Sequence, residues 1–370
     1  MPRRRRNGEK LLIVLPNWVG DAVMAGPVLR ALRQLYPDAH ITGLARRYVK
    51  DVFAGMPWLD RLVSYRTGKT EARAGKGRVF RLAARLRSAR FDTAVVLTNS
   101  FASALVCKLA RIQRIIGYDR DGRGFLLTDR LLPPRERGKF IPLPLVRYYL
   151  GISSYLGSGV RDGRLELFVT EADRHEARQV LERAGLEADV HRPGAAGGAP
   201  LVMLNPGAQY GQAKCWPPEY FAQLADRLIG ELGATVLVSG SPRERAIAQA
   251  VQRHTRHALV DLTAKGLTLG ALKDVVRRCD LMITNDTGPR HVAAAMDVPV
   301  VTIFGPTHPQ WTEIDYAKER KAMVKVFCGP CQKKVCPLDR RCLTQLTPAM
   351  VWEKTAELLG QPVASERSAR

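Results

Sequence analysis

Apolar residues along this chain fall into short uninterrupted runs that are separated by stretches with helical spacing. The run at residues 10–16 (KLLIVLP) is closed by a proline, and its length is typical of a strand buried on both faces of a parallel sheet. Helical spacing follows at Val28, Leu29, Leu32 and Leu35. Further predicted elements of this half are strands at 41–44 and 93–97 and a basic amphipathic helix near 79–86. Strands that alternate with helices predict βαβ units.

The same alternation restarts in the second half of the chain. Residues 170–184 predict a helix that begins at a threonine cap and ends at Gly185. The segment 191–200 (HRPGAAGGAP) is rich in Gly, Pro and Ala and predicts a linker. Beyond it lie predicted strands at 201–205, 235–239, 258–262, 281–285 and 298–304, and predicted helices at 218–232, 269–277, after Gly288 and at 348–359. This pattern predicts a second doubly wound sheet.

The predicted fold class is α/β, with two doubly wound Rossmann-like domains. We expect an N-terminal domain at residues 1–190, a C-terminal domain at 191–347, and a final helix and tail at 348–370, of which residues 365–370 should be frayed. The length of 370 residues agrees with two domains. Because open α/β sheets bind ligands at the carboxyl ends of their strands, we expect the active site in a cleft between the domains.

Composition is that of a folded globular protein, with 46% hydrophobic and 25% charged residues. No apolar run approaches the roughly 18 residues that cross a bilayer. The four arginines at residues 3–6 lack the apolar stretch of a signal peptide. Seven cysteines agree with a reducing compartment, so we expect a cytoplasmic protein.

Charge is distributed unevenly over a chain whose formal net charge is +23. Residues 1–185 hold 35 Lys and Arg against 17 Asp and Glu, whereas residues 186–370 hold 23 against 18. A basic half attracts a polyanion such as nucleic acid, anionic lipid or phosphorylated glycolipid. An Arg-rich proteome explains any single arginine equally well, so only the asymmetry indicates function. A nucleic-acid-binding protein would need aromatic platforms or a recognised module, and the sequence shows neither, so we expect no nucleic acid partner.

Asp21 is the first candidate for chemistry. The strand at 10–16 leads directly into Asn17-Trp18-Val19-Gly20-Asp21, which places the carboxylate at the carboxyl end of a strand after a glycine that allows a sharp turn. An isolated aspartate at this place more often caps the following helix. Its location at the end of the first strand is what favours catalysis.

The second candidate region is the loop after the strand at 201–205, with the sequence NPGAQYGQAKCWP. Backbone amides near Gly207 and Gly211, together with the ammonium group of Lys214, suit a diphosphate. A single lysine in a glycine loop is more often solvated surface, so this loop alone does not establish a site.

The third region is ITNDTGPRH at residues 283–291, where a predicted strand turns directly into a helix. Free amides at a helix N-terminus bind anions, and Pro289 suits a first helical position. From the local sequence alone, a structural role is as well supported as a binding role for both side chains: Asp286 as a helix cap and His291 as a buried histidine.

Together, the segments NWVGDAVMAGP, NPGAQYGQAKCWP and ITNDTGPRHVAAA resemble the lipopolysaccharide heptosyltransferases in order and separation. The resemblance covers roughly residues 10–359, including the cysteine-containing segment before LTPAMV. It implies a GT-B-type fold with an interdomain cleft, an acceptor site in the N-terminal domain and a nucleotide-sugar site in the C-terminal domain. The implied reaction transfers L-glycero-D-manno-heptose from ADP-heptose to the heptose/Kdo inner core of lipopolysaccharide, with inversion at the sugar carbon and without a metal or other cofactor.

The resemblance also implies roles for individual residues. Asp21 matches the general base and Lys214 the pyrophosphate-binding lysine. The other positions that match donor-binding residues are Gly207, Ala208, Asp286, Thr287, Gly288 and His291. Related enzymes hold the ribose with an acidic residue where this chain has Pro242, and Glu244 is the candidate substitute.

Elementary chemistry agrees with these implied roles. A sugar hydroxyl is a poor nucleophile, and an aspartate, ionised at neutral pH, can take its proton. The departing ADP gathers negative charge, which Lys214 and the helix end at Gly288 can stabilise. The one Asp-x-Asp pair, Asp119 and Asp121, lies in a basic loop that does not suit a metal.

The expected acceptor is the anionic lipid A-core, which carries phosphates and acidic sugars. The stretch 111–147, in the domain to which the resemblance assigns the acceptor, holds nine Lys and Arg against four Asp and Glu. We therefore expect peripheral contact with the cytoplasmic face of the inner membrane.

Four cysteines form a C-x2-C-x4-C-x5-C pattern at Cys328, Cys331, Cys336 and Cys342. Such thiols can fold around zinc or an iron–sulfur cluster, although the second pair departs from ribbon-like spacing. The resemblance implies no metal there.

Two alternative functions share this architecture, because a fold alone does not fix a reaction. One is a glycosyltransferase that acts on another surface glycan, and the other is a nucleotide-sugar epimerase. A transferase releases ADP only when an acceptor is supplied, whereas an epimerase needs none.

Overall fold

The computed structural model describes residues 8–65, 75–187, 190 and 198–361. The arginines at 3–6, most of the predicted linker at 191–200 and the predicted frayed tail at 365–370 lie outside the described residues. Two compact units are present, residues 1–168 with 310–315, and residues 169–309 with 316–370.

The first unit is built on six parallel strands in the order β3-β2-β1-β4-β5-β6. The strands are β1 (Lys10–Val14), β2 (His40–Arg46), β3 (Arg61–Tyr65), β4 (Thr93–Val96), β5 (Arg114–Tyr118) and β6 (Asp129–Leu131). A two-stranded antiparallel hairpin follows, formed by β7 (Arg135–Glu136) and β8 (Lys139–Phe140). The helices are α1 (Val19–Met24), α2 (Gly26–Leu35), α3 (Gly75–Ala89), α4 (Phe101–Leu109) and α5 (Leu145–Tyr155), with 3-10 turns at Arg47–Phe53 and Gly124–Leu126.

Strand β1 is buried on both faces of this sheet. Leu12 and Val14 pack in the core formed with α3 and α4, whereas Leu11 and Ile13, whose side chains alternate to the other face, are equally buried. The uninterrupted apolar run that predicted this strand therefore reflects helices on both sides of the sheet.

The second unit repeats the same topology, with six parallel strands in the order β11-β10-β9-β12-β13-β14. The strands are β9 (Leu201–Asn205), β10 (Thr235–Val238), β11 (Val260–Asp261), β12 (Leu281–Asn285), β13 (Val300–Ile303) and β14 (Glu319–Ala322). The helices are α6 (Glu171–Arg183), α7 (Pro218–Leu232), α8 (Arg245–His254), α9 (Leu269–Arg277), α10 (Gly288–Ala295), α11 (Arg341–Thr344) and α12 (Pro348–Leu358). Further 3-10 turns among the described residues lie at Gln212–Lys214, Pro242–Glu244 and Pro309–Thr312. The predicted α/β class with two doubly wound sheets is confirmed.

Helix α6 belongs to the second unit, so the division falls at residue 168 rather than at the predicted residue 190. Its N-terminus has the predicted threonine cap, in which Thr170 accepts a hydrogen bond from the Asp173 amide at 3.2 Å. The helix packs on α9, where the buried carboxylate of Asp173 pairs with the buried ammonium of Lys273 at 2.9 Å. This ion pair helps to hold α6 on the second unit, because neither charge could be left alone away from water.

None of the helices in the described part of the chain is long and apolar enough to cross a bilayer.

Candidate active site

Each sheet reverses its strand order between its first and fourth strands, β1 and β4 in the first unit and β9 and β12 in the second. Ligands of open α/β sheets bind at such switch points, beyond the carboxyl ends of the strands. The residues predicted as functional lie in the segments that directly follow β1, β9 and β12, either in a loop or at the start of the next helix, with Glu244 in the turn after β10.

In the first unit, Asp21 lies in the first turn of α1. The N-terminal cap of α1 is Trp18, so Asp21 does not have the capping role that local sequence also allowed. Asp21 is close to two tyrosines whose pKa values are raised mainly by burial and further by its negative charge, Tyr48 and the fully buried Tyr149.

Two arginines that the sequence did not single out lie at the same edge of the first sheet. Arg46 ends β2 close to Tyr48 and Tyr65, where it opposes the rise that burial causes in the pKa of both hydroxyls, and Arg120 follows β5. The Nε atoms of both are buried without a hydrogen-bond partner in the described part of the chain. Anion binding at this edge would satisfy such donors.

Asn99 follows β4 and was also missed. Its side-chain oxygen accepts hydrogen bonds from the Tyr148 hydroxyl at 3.0 Å and from Arg123 Nη2 at 3.3 Å. The fully buried guanidinium of Arg123 also donates to the carbonyl oxygens of Tyr118 and Thr98. Arg123 therefore fixes the loops after β4 and β5 instead of facing a ligand.

In the second unit, Asn285 at the end of β12 hydrogen-bonds to both ends of the glycine loop, the segment that follows β9 and carries Lys214. Its amide group donates to the Pro206 carbonyl at 2.8 Å and to the Gly207 carbonyl at 3.3 Å. Its side-chain oxygen accepts from the Trp216 backbone N–H at 3.1 Å. The loop is thus held by one buried side chain from the neighbouring strand.

Lys214 and Asp286, which are 72 residues apart in the sequence, meet in this unit. Lys214 Nζ donates to the Asp286 carboxylate at 2.7 Å and to its carbonyl oxygen at 2.8 Å. Thr307 donates to the same carboxylate at 2.7 Å, and Arg290 pairs with it at 3.4 Å. Arg290 is itself held by Glu319 at 2.5 and 2.9 Å.

These contacts decide the ionisation of Asp286. Burial alone would raise its pKa, but Lys214 and Arg290 outweigh this effect and hold the pKa at about 2. Asp286 is therefore ionised at neutral pH, and it positions the lysine ammonium beside the start of α10.

Helix α10 begins at Gly288, with Thr287 as its N-terminal cap residue and Pro289 in its first turn. Its first amides have no partner within the helix, and they form the positive end of the helix dipole. The predicted donor-binding turn is thus a strand end that runs directly into a helix N-terminus beside the Lys214 ammonium.

His291 is buried one turn into α10, as the alternative interpretation of its sequence position allowed. Burial and the neighbouring Arg290 lower its pKa to about 3, so the ring is neutral at neutral pH. Its Nδ1 atom has no hydrogen-bond partner among the described residues. Any contribution of His291 to binding would therefore be a hydrogen bond and not a charge.

Glu244 and Ala208 complete the predicted set. Glu244 accepts hydrogen bonds from Ser241 through Oε2, and its carboxylate lies where a Cβ atom at Gly207 would be. Glu244 therefore lies against the glycine loop. Ala208 lies in the loop after β9, close to Cys215.

The cysteine segment packs against the same glycine loop. Tyr210 donates to the Gln332 carbonyl at 2.6 Å, and Ala213 donates to the Lys334 carbonyl at 3.3 Å. The four thiols are free and line one cavity of about 20 Å³. Among the described residues, no three or more His, Cys, Asp or Glu side chains are arranged to hold a metal ion. Its contacts through Tyr210 and Ala213 give the segment a supporting role for the loop that carries Lys214.

Comparison with known proteins agrees with this geometry. Residues 79–341 match glycosyltransferase family 9 (heptosyltransferase). Lipooligosaccharide heptosyltransferase 2 of Haemophilus influenzae is 29% identical over 95% of this chain and 99% of its own length, and lipopolysaccharide heptosyltransferase 2 of Escherichia coli is 29% identical over 96% and 100%. The structure of E. coli ADP-heptose lipopolysaccharide heptosyltransferase II superposes with a TM-score of 0.75 at 26% identity, covering 95% of this chain and 98% of that one. The chain belongs to glycosyltransferase family 9, the heptosyltransferase family.

Proposed function

We propose that this protein is an inverting transferase that moves L-glycero-D-manno-heptose from ADP-heptose onto the heptose/Kdo inner core of lipopolysaccharide, as heptosyltransferase II does. The observation that carries the proposal is the Lys214–Asp286 pair beside the N-terminus of α10. A cation fixed next to free helix amides is a site for a diphosphate. The near full-length similarity to heptosyltransferases named 2 supports this choice of donor and acceptor.

Donor binding would proceed through the second unit. An ammonium group has three N–H bonds, and Lys214 directs two hydrogen bonds at Asp286, which leaves a donor for a phosphate oxygen. Gly207, Ala208, Thr287 and Gly288 would contribute backbone contacts to the ADP part, and Glu244 would hold the ribose. When the bond to ADP breaks, the same lysine and helix end stabilise the negative charge that develops on the leaving diphosphate.

Asp21 would act as the general base. As the acceptor hydroxyl attacks the anomeric carbon, its proton passes to the Asp21 carboxylate, and ADP leaves from the opposite face of the sugar. This single displacement inverts the configuration at that carbon. Arg46 and Arg120, with their buried Nε donors, are suited to orient the anionic acceptor at the same edge of the sheet.

The acceptor specificity can be tested by supplying ADP-heptose with inner-core acceptors that carry no, one or two heptoses. The proposal predicts fastest turnover with the acceptor that carries one heptose. Turnover with acceptors of unrelated surface glycans, and none with inner-core acceptors, would instead assign the enzyme to another glycan.

Gly207→Ala is expected to weaken ADP binding about tenfold, or ~1.4 kcal/mol. The new methyl group would overlap the Glu244 carboxylate, which Ser241 holds in place, so Glu244 must leave its position against the loop. Calorimetric titration with ADP measures the effect. In the double variant Gly207→Ala/Glu244→Ala, the affinity for ADP should be no lower than in the single variant Glu244→Ala. If the loss of ADP affinity in the double variant equals the sum of the losses in the two single variants, then Gly207 and Glu244 act on the nucleotide independently.

Membrane contact of the first unit follows from its charge, and it predicts reversible, salt-sensitive binding to anionic lipid. Each Lys or Arg near such a surface contributes about 1 kcal/mol, and this attraction fades within a Debye length of about 8 Å at physiological salt. Co-sedimentation of the full chain with neutral and anionic vesicles across a salt series measures it. Equal binding to both vesicle types at low salt would contradict the proposed contact.

A further inference from the structure

Large apolar side chains are exposed at the carboxyl edge of the first sheet. Phe101 is the first residue of α4 after β4, Phe125 lies in the 3-10 turn after β5, and Leu132 directly follows β6. Phe125 is 72% exposed and Leu132 is 79% exposed. Because these strands are all parallel, the three side chains lie at one edge, the edge that also carries Asp21.

Contacts between loops bring several of these exposed residues together. The rings of Phe101 and Phe125 lie 5.9 Å apart, so the loops after β4 and β5 touch through exposed aromatic residues. Arg120, in the loop after β5, stacks on Phe140 of the β7–β8 hairpin at 3.9 Å, and the exposed Ile141 directly follows that hairpin. Clustered exposed apolar residues of this kind mark an interaction surface.

Exposed cations accompany these apolar residues, and one of them, Arg135, stacks on the Phe140 ring at 4.3 Å. The segment 130–141 contains four basic residues and a single acidic one, Glu136. In the parts of the chain that the structure describes, none of the four forms an ion pair, and all are exposed: Arg130, Arg135, Arg137 and Lys139. We define the docking edge as Phe101, Phe125, Leu132 and Ile141 together with these four cations.

We infer that the docking edge seats the enzyme on the anionic membrane that contains its acceptor, with the apolar side chains in the interfacial zone and the cations at lipid phosphates. This inference rests on the proposed function, since it concerns the lipid part of the proposed acceptor. Basic residues beside exposed aromatic and aliphatic ones complement an anionic lipid interface. Leu132 and Ile141 cannot stack on bases, which favours lipid over nucleic acid. Docking at this edge would bring Asp21 close to the membrane surface where the acceptor hydroxyl lies.

The test compares two acceptors that share one inner-core oligosaccharide, one with its acyl chains in anionic vesicles and one deacylated in solution. The variant Phe101→Ser/Phe125→Ser/Leu132→Ser is expected to lower kcat/KM for the acylated acceptor about tenfold or more, because it removes the apolar side chains that would enter the interfacial zone. For the deacylated acceptor, kcat/KM should stay within about twofold, since the sugar contacts are intact. Phe80→Ser is the matched control, because Phe80 is 60% exposed in the same unit but lies on α3, outside the docking edge.

Co-sedimentation of the same variants with anionic vesicles gives a readout that needs no turnover. Loss of vesicle binding in the triple variant, with binding kept in Phe80→Ser, supports the inference. An equal loss of kcat/KM on both acceptors, unchanged vesicle binding, or loss of binding to a labelled RNA in place of vesicles would each overturn it. If the wild-type protein turns over neither acceptor, the proposed function fails, and vesicle binding still decides the docking edge separately.

Discussion

Replacing Asp21 with asparagine is expected to lower kcat by 10²–10⁴-fold, because an amide cannot accept the proton of the acceptor hydroxyl. The substitution keeps the size of the side chain, and Asp21 is not the cap of α1, so the fold and the affinity for the donor should be retained. Steady-state kinetics with ADP-heptose and an inner-core acceptor measure kcat, and calorimetry with ADP measures the affinity.

Asp38→Asn provides a matched control, since Asp38 is an exposed carboxylate of the same unit outside the candidate site. It should leave turnover unchanged. Near-normal turnover in Asp21→Asn would remove Asp21 as the base. A fall in ADP affinity equal to the fall in kcat would point to a structural role instead.

The second large effect is expected for Lys214→Ala, which should weaken ADP binding and also lower kcat, by about 10²-fold or more in kcat/KM. The ammonium group is proposed to contact the diphosphate in the ground state and to stabilise its charge as the sugar leaves, so both quantities depend on it. Calorimetry with ADP and single-turnover kinetics separate the two contributions.

Lys214 also neutralises a buried carboxylate, so its removal is expected to raise the pKa of Asp286. Arg290 and Thr307 remain on that carboxylate and should preserve the fold. Lys354→Ala, on the exposed side of α12, removes the same charge from the same unit and serves as the control. It should change neither the affinity for ADP nor kcat. Unchanged ADP affinity together with an unchanged rate in Lys214→Ala would exclude the lysine from the site.

The interior strands of both sheets could be predicted from the sequence with the exception of β5, whereas the edge strands β3, β6 and β14 could not and the edge strand β11 could. β1 and β9 are buried on both faces and therefore appear as uninterrupted apolar runs. β3 and β14 are edge strands with mostly half-exposed residues, so polar side chains interrupt their pattern, and neither was predicted. The attachment of α6 was also missed, because helical spacing shows that a helix forms but not which sheet it packs against.

The candidate site could be predicted at positions where local sequence fixes geometry, namely at the carboxyl ends of buried strands. Asp21, Lys214 and Asp286 were identified in this way and by resemblance. Their partners were not, because the partners come from distant parts of the chain. Asn285 holds a loop 78 residues earlier, and Arg290 is fixed by Glu319, 29 residues later. Such pairings depend on which strands become neighbours in the sheet, and no local sequence pattern indicates the neighbours of a strand.

The most direct test of the proposed function is a measurement of ADP release from ADP-heptose with and without the one-heptose inner-core acceptor. Heptosyl transfer predicts that ADP appears only when the acceptor is present, with one heptose added to the acceptor for each ADP released. Release of ADP at the same rate without acceptor, or conversion of the donor sugar to another sugar with no acceptor modified, would contradict it.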